Sequence, residues 1–152
     1  MDQEALDTAV AQQRADRSKS YQALVALEDA LDLRLPRREG EWKNTVASAL
    51  DTLITALNEQ ARYNRSPDSM MAQIAVEQPR FGPRIAQLET QLDEIRRAEQ
   101  ALRDQLTDDG TPVDLVDLRS QLAVLDSQYR LHRAAETDLI YEAINVDLGG
   151  KG

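Results

Sequence analysis

The feature that most constrains this 152-residue chain is a stripe of apolar residues near its C-terminus that repeats every three or four positions. Such spacing is typical of the buried face of a long α-helix. Its members are Leu115, Leu118, Leu122, Leu125, Tyr129, Leu139 and Ala143, and His132 and Glu136 occupy the two remaining positions. An imidazole and a carboxylate are therefore predicted to face a core. A carboxylate without a partner is very costly there, so either a metal ion or hydrogen-bonding side chains must satisfy it.

Helical periodicity extends over nearly the whole chain, and proline, glycine and capping residues divide it. A first helix is predicted over about Gln3 to Asp32, ending before Leu35-Pro36, and a second from near Glu41. A short helix follows, opened by Ser66-Pro67 and ending before Pro79. The third long helix runs from Pro83 to the loop at Asp108-Asp109-Gly110, and the fourth is opened by Thr111-Pro112 and ends at Leu148-Gly149-Gly150. No β alternation is present.

Four long amphipathic helices with short connections predict an all-α fold, an antiparallel up-down-up-down four-helix bundle with a short extra helix between helices 2 and 3. We expect a single domain over 1–152. The segment 1–17 is poor in large apolar residues, with only Leu6 and Val10, so it is expected to overhang, fray or cover something polar. Residues 149–152 are expected to form a flexible tail.

The composition restricts the function classes. The formal net charge of -9 disfavours nucleic acid and anionic membranes as partners. The chain has no Cys, which excludes disulfides, thiol nucleophiles and cysteinyl metal sites. No apolar run approaches the length of a membrane span, and the N-terminus MDQEALDTAV does not resemble a secretion signal. A cytoplasmic protein is predicted.

Polar residues interrupt the apolar stripes of all four long helices at a similar depth. Counting along the helices from the tight turns places Gln60 near Arg17, and Gln91 near His132. The predicted polar core layer comprises Arg17, Tyr21, Gln60, Asn64, Gln91, His132 and Glu136. Arg17 lies at the depth needed to pair with Glu136. The alternative is that its side chain follows the outside of the helix with the guanidinium in water.

The chain resembles bacterial hemerythrin-like proteins at this layer. The resemblance covers most of residues 20–150, through LRLPRREGEW, ALDTLITALNEQ and VEQPRF, and is most specific at HRAAETDLIYEA. It implies a four-helix bundle and, in the family, a non-haem di-iron centre that binds or senses oxygen or peroxide, or handles iron. His132 and Glu136 correspond to the family's fourth-helix His-x-x-x-Glu ligand pair.

The other positions depart from the family pattern. Gln60 and Asn64 stand where the second helix would supply His and Glu, Gln91 stands where the third would supply His, and the first-helix His falls near Tyr21. Neutral amides are poor ligands for iron or zinc. We therefore expect no metal or other cofactor, with His132 and Glu136 as the residual candidate ligands, and a layer satisfied by hydrogen bonds.

No catalytic constellation is evident. The sequence has no nucleophile elbow, no glycine-rich phosphate loop and one His without a neighbouring nucleophile. A non-enzymatic regulatory or interaction module is predicted, acting on a protein or small ligand as a monomer or homodimer. The alternative is an iron- or oxygen-related binder that uses His132 and Glu136 with further ligands.

Overall fold

The computed structural model describes residues 3–32, 39–107 and 114–149, and these residues are helical almost throughout. No described residue lies in a β-strand, so the predicted all-α class is confirmed. The elements are α1 (Gln3–Asp32), α2 (Glu39–Asn64), α3 (Met70–Glu77), a 3-10 turn (Pro79–Phe81), α4 (Gly82–Thr107) and α5 (Leu115–Gly149).

Two helices begin at capping residues other than the predicted ones. Ser69, not Ser66, caps α3, because its Oγ accepts a hydrogen bond from the backbone N–H of Ala72 at 3.1 Å. Asp114 caps α5 through its Oδ1, which accepts from the N–H groups of Val116 at 3.0 Å and Asp117 at 3.2 Å. The predicted breaks at Leu35-Pro36, Asp108-Asp109-Gly110 and Thr111-Pro112, and residues 150–152 of the predicted tail, lie outside the described residues.

Side-chain hydrogen bonds and ion pairs connect each long helix to its neighbours. Ser20–Gln60 and Lys19–Glu59 join α1 to α2. The other pairs are Asp51–Arg103 and Arg65–Asp93 between α2 and α4, Arg84–Glu142 and Gln91–His132 between α4 and α5, and Glu28–Arg130 and Gln13–Glu136 between α1 and α5. In these last three sets, the residue later in one helix meets the residue earlier in the other.

The buried apolar residues form two clusters. The larger cluster is built mainly from leucines of α1, α2, α4 and α5, and Trp42 is buried within it. The smaller cluster contains Ala9 of α1, Met70, Met71 and Ile74 of α3, Phe81 and Ile85, and Leu139 and Ala143 of α5. The polar residues described below lie between these clusters and beside them.

The N-terminal part of α1 packs against the molecule. Ala9 is buried in the smaller cluster, and Gln13 is buried one turn later. Of the three predicted alternatives for 1–17, overhang is not seen over the described part of that segment, whereas covering of a polar group is, since Gln13 and Arg17 contact the buried carboxylate of Glu136. This part of α1 packs with few large apolar side chains because the residues that face α3 and α5 are small or polar, such as Ala9 and Gln13. None of the described helices combines the length and apolar composition needed to cross a lipid bilayer.

Candidate functional site: a buried polar layer

The carboxylate of Glu136 lies at the centre of the polar layer. It is 1% exposed. Arg17 Nε lies 3.0 Å from its Oε1, Gln13 Nε2 donates to Oε1 at 3.3 Å, and Gln60 Nε2 donates to Oε2 at 3.5 Å. Burial raises the pKa of the Glu136 carboxyl, while Arg17, Arg133 and the two amides oppose that effect. This carboxylate therefore has a cation and two amide donors around it.

The guanidinium of Arg17 connects α1 to α5. Its Nη2 donates to the backbone oxygen of Arg133 at 3.4 Å and to the hydroxyl of Thr137. In return, Arg133 Nη1 donates to the backbone oxygen of Arg17 at 2.8 Å. Although Nε is close to Glu136, its N–H makes no hydrogen bond, so the contact with the carboxylate is an ion pair. The guanidinium is held by α5 and does not extend freely into water.

Gln60 joins three helices through the two ends of its amide. Its Oε1 accepts hydrogen bonds from Ser20 Oγ at 2.8 Å and from Tyr129 Oη at 3.2 Å. Its Nε2 faces Glu136. All four of these side chains are buried, so the amide orientation follows from its neighbours, with donors on one side and an acceptor on the other.

His132 is buried and only partly satisfied. Its Nδ1 lies 3.4 Å from Gln91 Oε1, which can only accept, so this pairing places the proton on Nδ1. Its Nε2 is 3.9 Å from Glu136 Oε2 and has no hydrogen-bond partner. Burial, with a smaller contribution from the charge of Arg17, lowers the pKa of His132 to about 4. The imidazole is therefore neutral near pH 7.

A small cavity adjoins His132 and Glu136. Its volume is about 10 Å³, enough for about one water molecule. Asn64 also lines it and has an Oδ1 without a hydrogen-bond partner. Met71 and Leu92 belong to its apolar wall. His132 Nε2 and Asn64 Oδ1, two polar atoms without hydrogen-bond partners, thus belong to residues that line a cavity large enough for about one water molecule.

The structure brings Arg17, Gln60, Gln91, His132 and Glu136 into contact, and Asn64 lies beside the cavity. The prediction that Tyr21 belongs to this buried layer is wrong, since the residue is 41% exposed. The guanidinium groups of Arg130 and Arg133 lie over its ring, at 5.7 and 4.7 Å from the centroid.

Gln13 and Ser20 of α1 belong to the layer but were not among the predicted residues. Ser20 lies on the face of Leu24, Leu27 and Leu31, whereas Tyr21 is rotated from that face by about 100°. Gln13 lies seven residues before Ser20 on the same face. This spacing was the available signal for both residues.

A second group of buried carboxyls was also missed. Glu99 of α4 is 1% exposed, and neither of its oxygens has a hydrogen-bond partner. Burial raises its pKa to about 7. Asp126 of α5 is also buried, and burial together with Glu28 of α1 raises its pKa to about 8. The signal for Glu99 was its position on the α4 stripe, between Ile95 and Leu102.

Comparison of the chain with models of protein families, with characterised proteins and with solved structures gave no match in any of the three. The hemerythrin-like resemblance therefore stays a prediction.

The side chains present do not fit the di-iron centre that the resemblance implies. Among the described residues, no group of three or more His, Asp or Glu side chains is placed to hold a metal ion. Amides of Gln13, Gln60 and Gln91 surround the histidine and the carboxylate, and a guanidinium contacts the carboxylate where a cation would be needed.

Proposed function

We propose that this chain is a hemerythrin-like, antiparallel four-helix bundle with a short additional helix, whose polar layer has a structural role independent of metal. In this proposal it acts as a non-enzymatic regulatory or interaction module for a protein or small ligand. The antiparallel side-chain pairs around α1, α2, α4 and α5 support the bundle topology.

The observation that carries the proposal is the 3.0 Å contact between Arg17 Nε and Glu136 Oε1. A guanidinium supplies the positive charge that a metal would otherwise bring to a buried carboxylate. The guanidinium also repels a metal ion bound to the same carboxylate, because the effective dielectric constant of a protein interior is well below that of water. Arg17 is fixed by Arg133 and Thr137, so it does not readily move aside for a metal.

Metal analysis tests this proposal. Protein purified under reducing conditions and incubated anaerobically with Fe(II), then desalted, is expected to retain far less than one iron per chain. The His132→Ala variant is expected to retain no less than the parent. A matched control is Glu142→Gln, which removes an exposed carboxylate of the same helix that pairs with Arg84 outside the layer.

A second candidate function rests on the unpartnered atoms beside the cavity. His132 Nε2, Asn64 Oδ1 and the Glu136 carboxylate would be the donors of an unusual iron- or oxygen-related site. Near-stoichiometric iron that is lost in His132→Ala but kept in Glu142→Gln would favour this candidate and overturn the metal-independent one.

A further inference from the structure

The surface of α5 that points away from the bundle lacks charge over about five turns. Between Asp117 and Asp138, its exposed side chains outside the α1 contact are Ser120, Gln121, Ala123, Val124, Ser127, Gln128, Leu131, Ala134 and Ala135. We call these nine residues the outer face of α5. The whole chain is 30% charged, so an uncharged surface of this length is unusual within it.

The charged residues of the same stretch are directed elsewhere. Arg119 approaches Asp32 of α1, and Arg130 pairs with Glu28 of α1. Arg133 donates to the backbone of α1 at Arg17, while Asp126 and Glu136 are buried. The outer face is therefore uncharged because the bundle uses the charges of α5 in its contact with α1.

Large apolar residues on this face are exposed to water. Leu131 is 72% exposed and Val124 is 56% exposed. They border two adjacent grooves between α4 and α5, which share Ala98 and Leu125 in their walls. Exposed apolar side chains grouped on one uncharged face mark an interaction site more often than an isolated exposed leucine does.

We propose that the outer face of α5 binds the same face of a second copy of this chain, forming an antiparallel dimer around a twofold axis near the level of Tyr129. Val124, Ser127, Leu131 and Ala134 are separated by steps of three, four and three residues, the spacing of a helix-helix seam. In antiparallel pairing, Val124 lies opposite Ala134 of the other copy and Leu131 opposite Ser127. Every layer thus joins one large and one small residue, which makes the seam complementary to itself.

The absence of charge on this face, rather than the net charge, suits a second copy. A net charge of -9 on each chain opposes self-association, and the outer face of α5 is where two copies can meet without bringing like charges into contact. A basic helix would leave its own charges unpaired against this face. The pairs Gln91–His132 and Arg84–Glu142 set the register of α4 against α5. That register puts the exposed residues Glu94 and Arg97 near the proposed axis, where each can face the opposite charge of the other copy.

Sedimentation velocity over a dilution series tests the dimer. We expect a dimer that dissociates on dilution, and a monomer at all concentrations for Leu131→Glu, which places a charge opposite Ser127 of the other copy. The control is Val76→Glu, which adds the same charge at an 80% exposed valine on α3 and should leave the dimer intact. Because both positions are exposed, circular dichroism should report the same helix content for both variants, and the same melting temperature at dilutions where the parent is a monomer.

Cross-linking tests the orientation in the same protein. The chain has no Cys, so Gln128→Cys introduces one thiol close to the proposed axis. Mild oxidation should produce a covalent dimer, whereas Ser48→Cys, an exposed residue of α2, should not.

A wild-type chain that is monomeric at its highest soluble concentration would overturn the proposal. So would a dimer that survives Leu131→Glu, or one that is lost equally in Val76→Glu. Slow oxidation of Gln128→Cys, no faster than that of Ser48→Cys, would overturn the antiparallel arrangement. None of these results depends on whether the polar layer binds a metal, so this proposal and the proposed function can fail separately.

Discussion

Arg17 and Glu136 are 119 residues apart in the sequence, yet their Nε and Oε1 atoms lie 3.0 Å apart. The Glu136 side chain is buried, whereas the Arg17 side chain is 20% exposed. The ion pair therefore bridges the interior and the surface of the α1–α5 contact, and the energetic consequences of removing either member differ.

Removal of Arg17 should be the more costly change. Arg17→Gln leaves the Glu136 carboxylate buried with amide donors only, and loss of one partner of a buried pair costs about 3–5 kcal/mol. Glu136→Gln leaves a guanidinium that still reaches water and Thr137, so a smaller loss is expected. Urea unfolding at pH 7 of both single variants and the double variant gives the coupling energy, for which about 1–3 kcal/mol is expected. A coupling energy of zero would show that the pair has no electrostatic role.

His132 should make the protein sensitive to acid. Its pKa is about 4 in the folded chain and 6.5 in a model peptide, so the unfolded chain binds a proton more readily. Its contribution to stability is complete above about pH 6.5 and is lost as the pH falls from there towards 4. The shift corresponds to about 3 kcal/mol. The difference in unfolding free energy between the parent and His132→Gln should therefore change between pH 7.5 and pH 5, by roughly 3 kcal/mol at most. Parallel curves would contradict the prediction.

Glu99 should have the opposite pH dependence. Its pKa rises from 4.5 to about 7 on folding, so the folded chain holds the proton more strongly. Its stabilising contribution is complete below about pH 4.5 and is lost as the pH rises through about 7. Glu99→Gln mimics the protonated carboxyl and should stabilise the protein at pH 8 by about 2–3 kcal/mol, with little effect at pH 5. Glu89→Gln, at a less buried position of the same helix, is the control and should show no such pH dependence.

Ala9 tests whether the N-terminal part of α1 belongs to the folded core. Ala9→Asp places a carboxylate among Met70, Met71 and Leu139, and burial of an unpaired charge should cost about 3 kcal/mol or more. Ala5→Asp makes the same change at an exposed position one turn earlier and should be nearly neutral. Equal melting temperatures for the two variants would mean that this segment separates from the bundle in solution.

The periodicity of the sequence was sufficient to locate most of the polar layer. Gln60, Gln91, His132 and Glu136 occupy stripe positions on helices whose other stripe members are large and apolar, so the direction of each helix face was well defined. Counting residues from the turns then gave their common depth, because an α-helix rises about 1.5 Å per residue.

The same method failed where the apolar signal was weak. Before Ser20, α1 has few large apolar residues, and Tyr21 was assigned to the core although Ser20 is the residue that lies there. Small side chains define a helix face poorly by sequence alone, because Ala and Ser are common on both surfaces. Glu99 was missed although the signal was strong: it lies on the α4 stripe between Ile95 and Leu102, so the periodicity that indicated burial of Glu136 indicated burial of Glu99 as well.

The amide of Gln60 has a consequence for which sequences this layer can accept. Its oxygen accepts from two hydroxyl groups and its nitrogen donates to a carboxylate, so Gln60 is an acceptor on one side and a donor on the other. A glutamate at position 60 would keep the hydroxyl contacts but set a second anion against Glu136. Without an added cation, that arrangement would force one of the two carboxyls to take up a proton. Glutamine at 60 and arginine at 17 thus depend on one another, and replacing either alone with a metal-binding type of residue should give a less stable protein than leaving both.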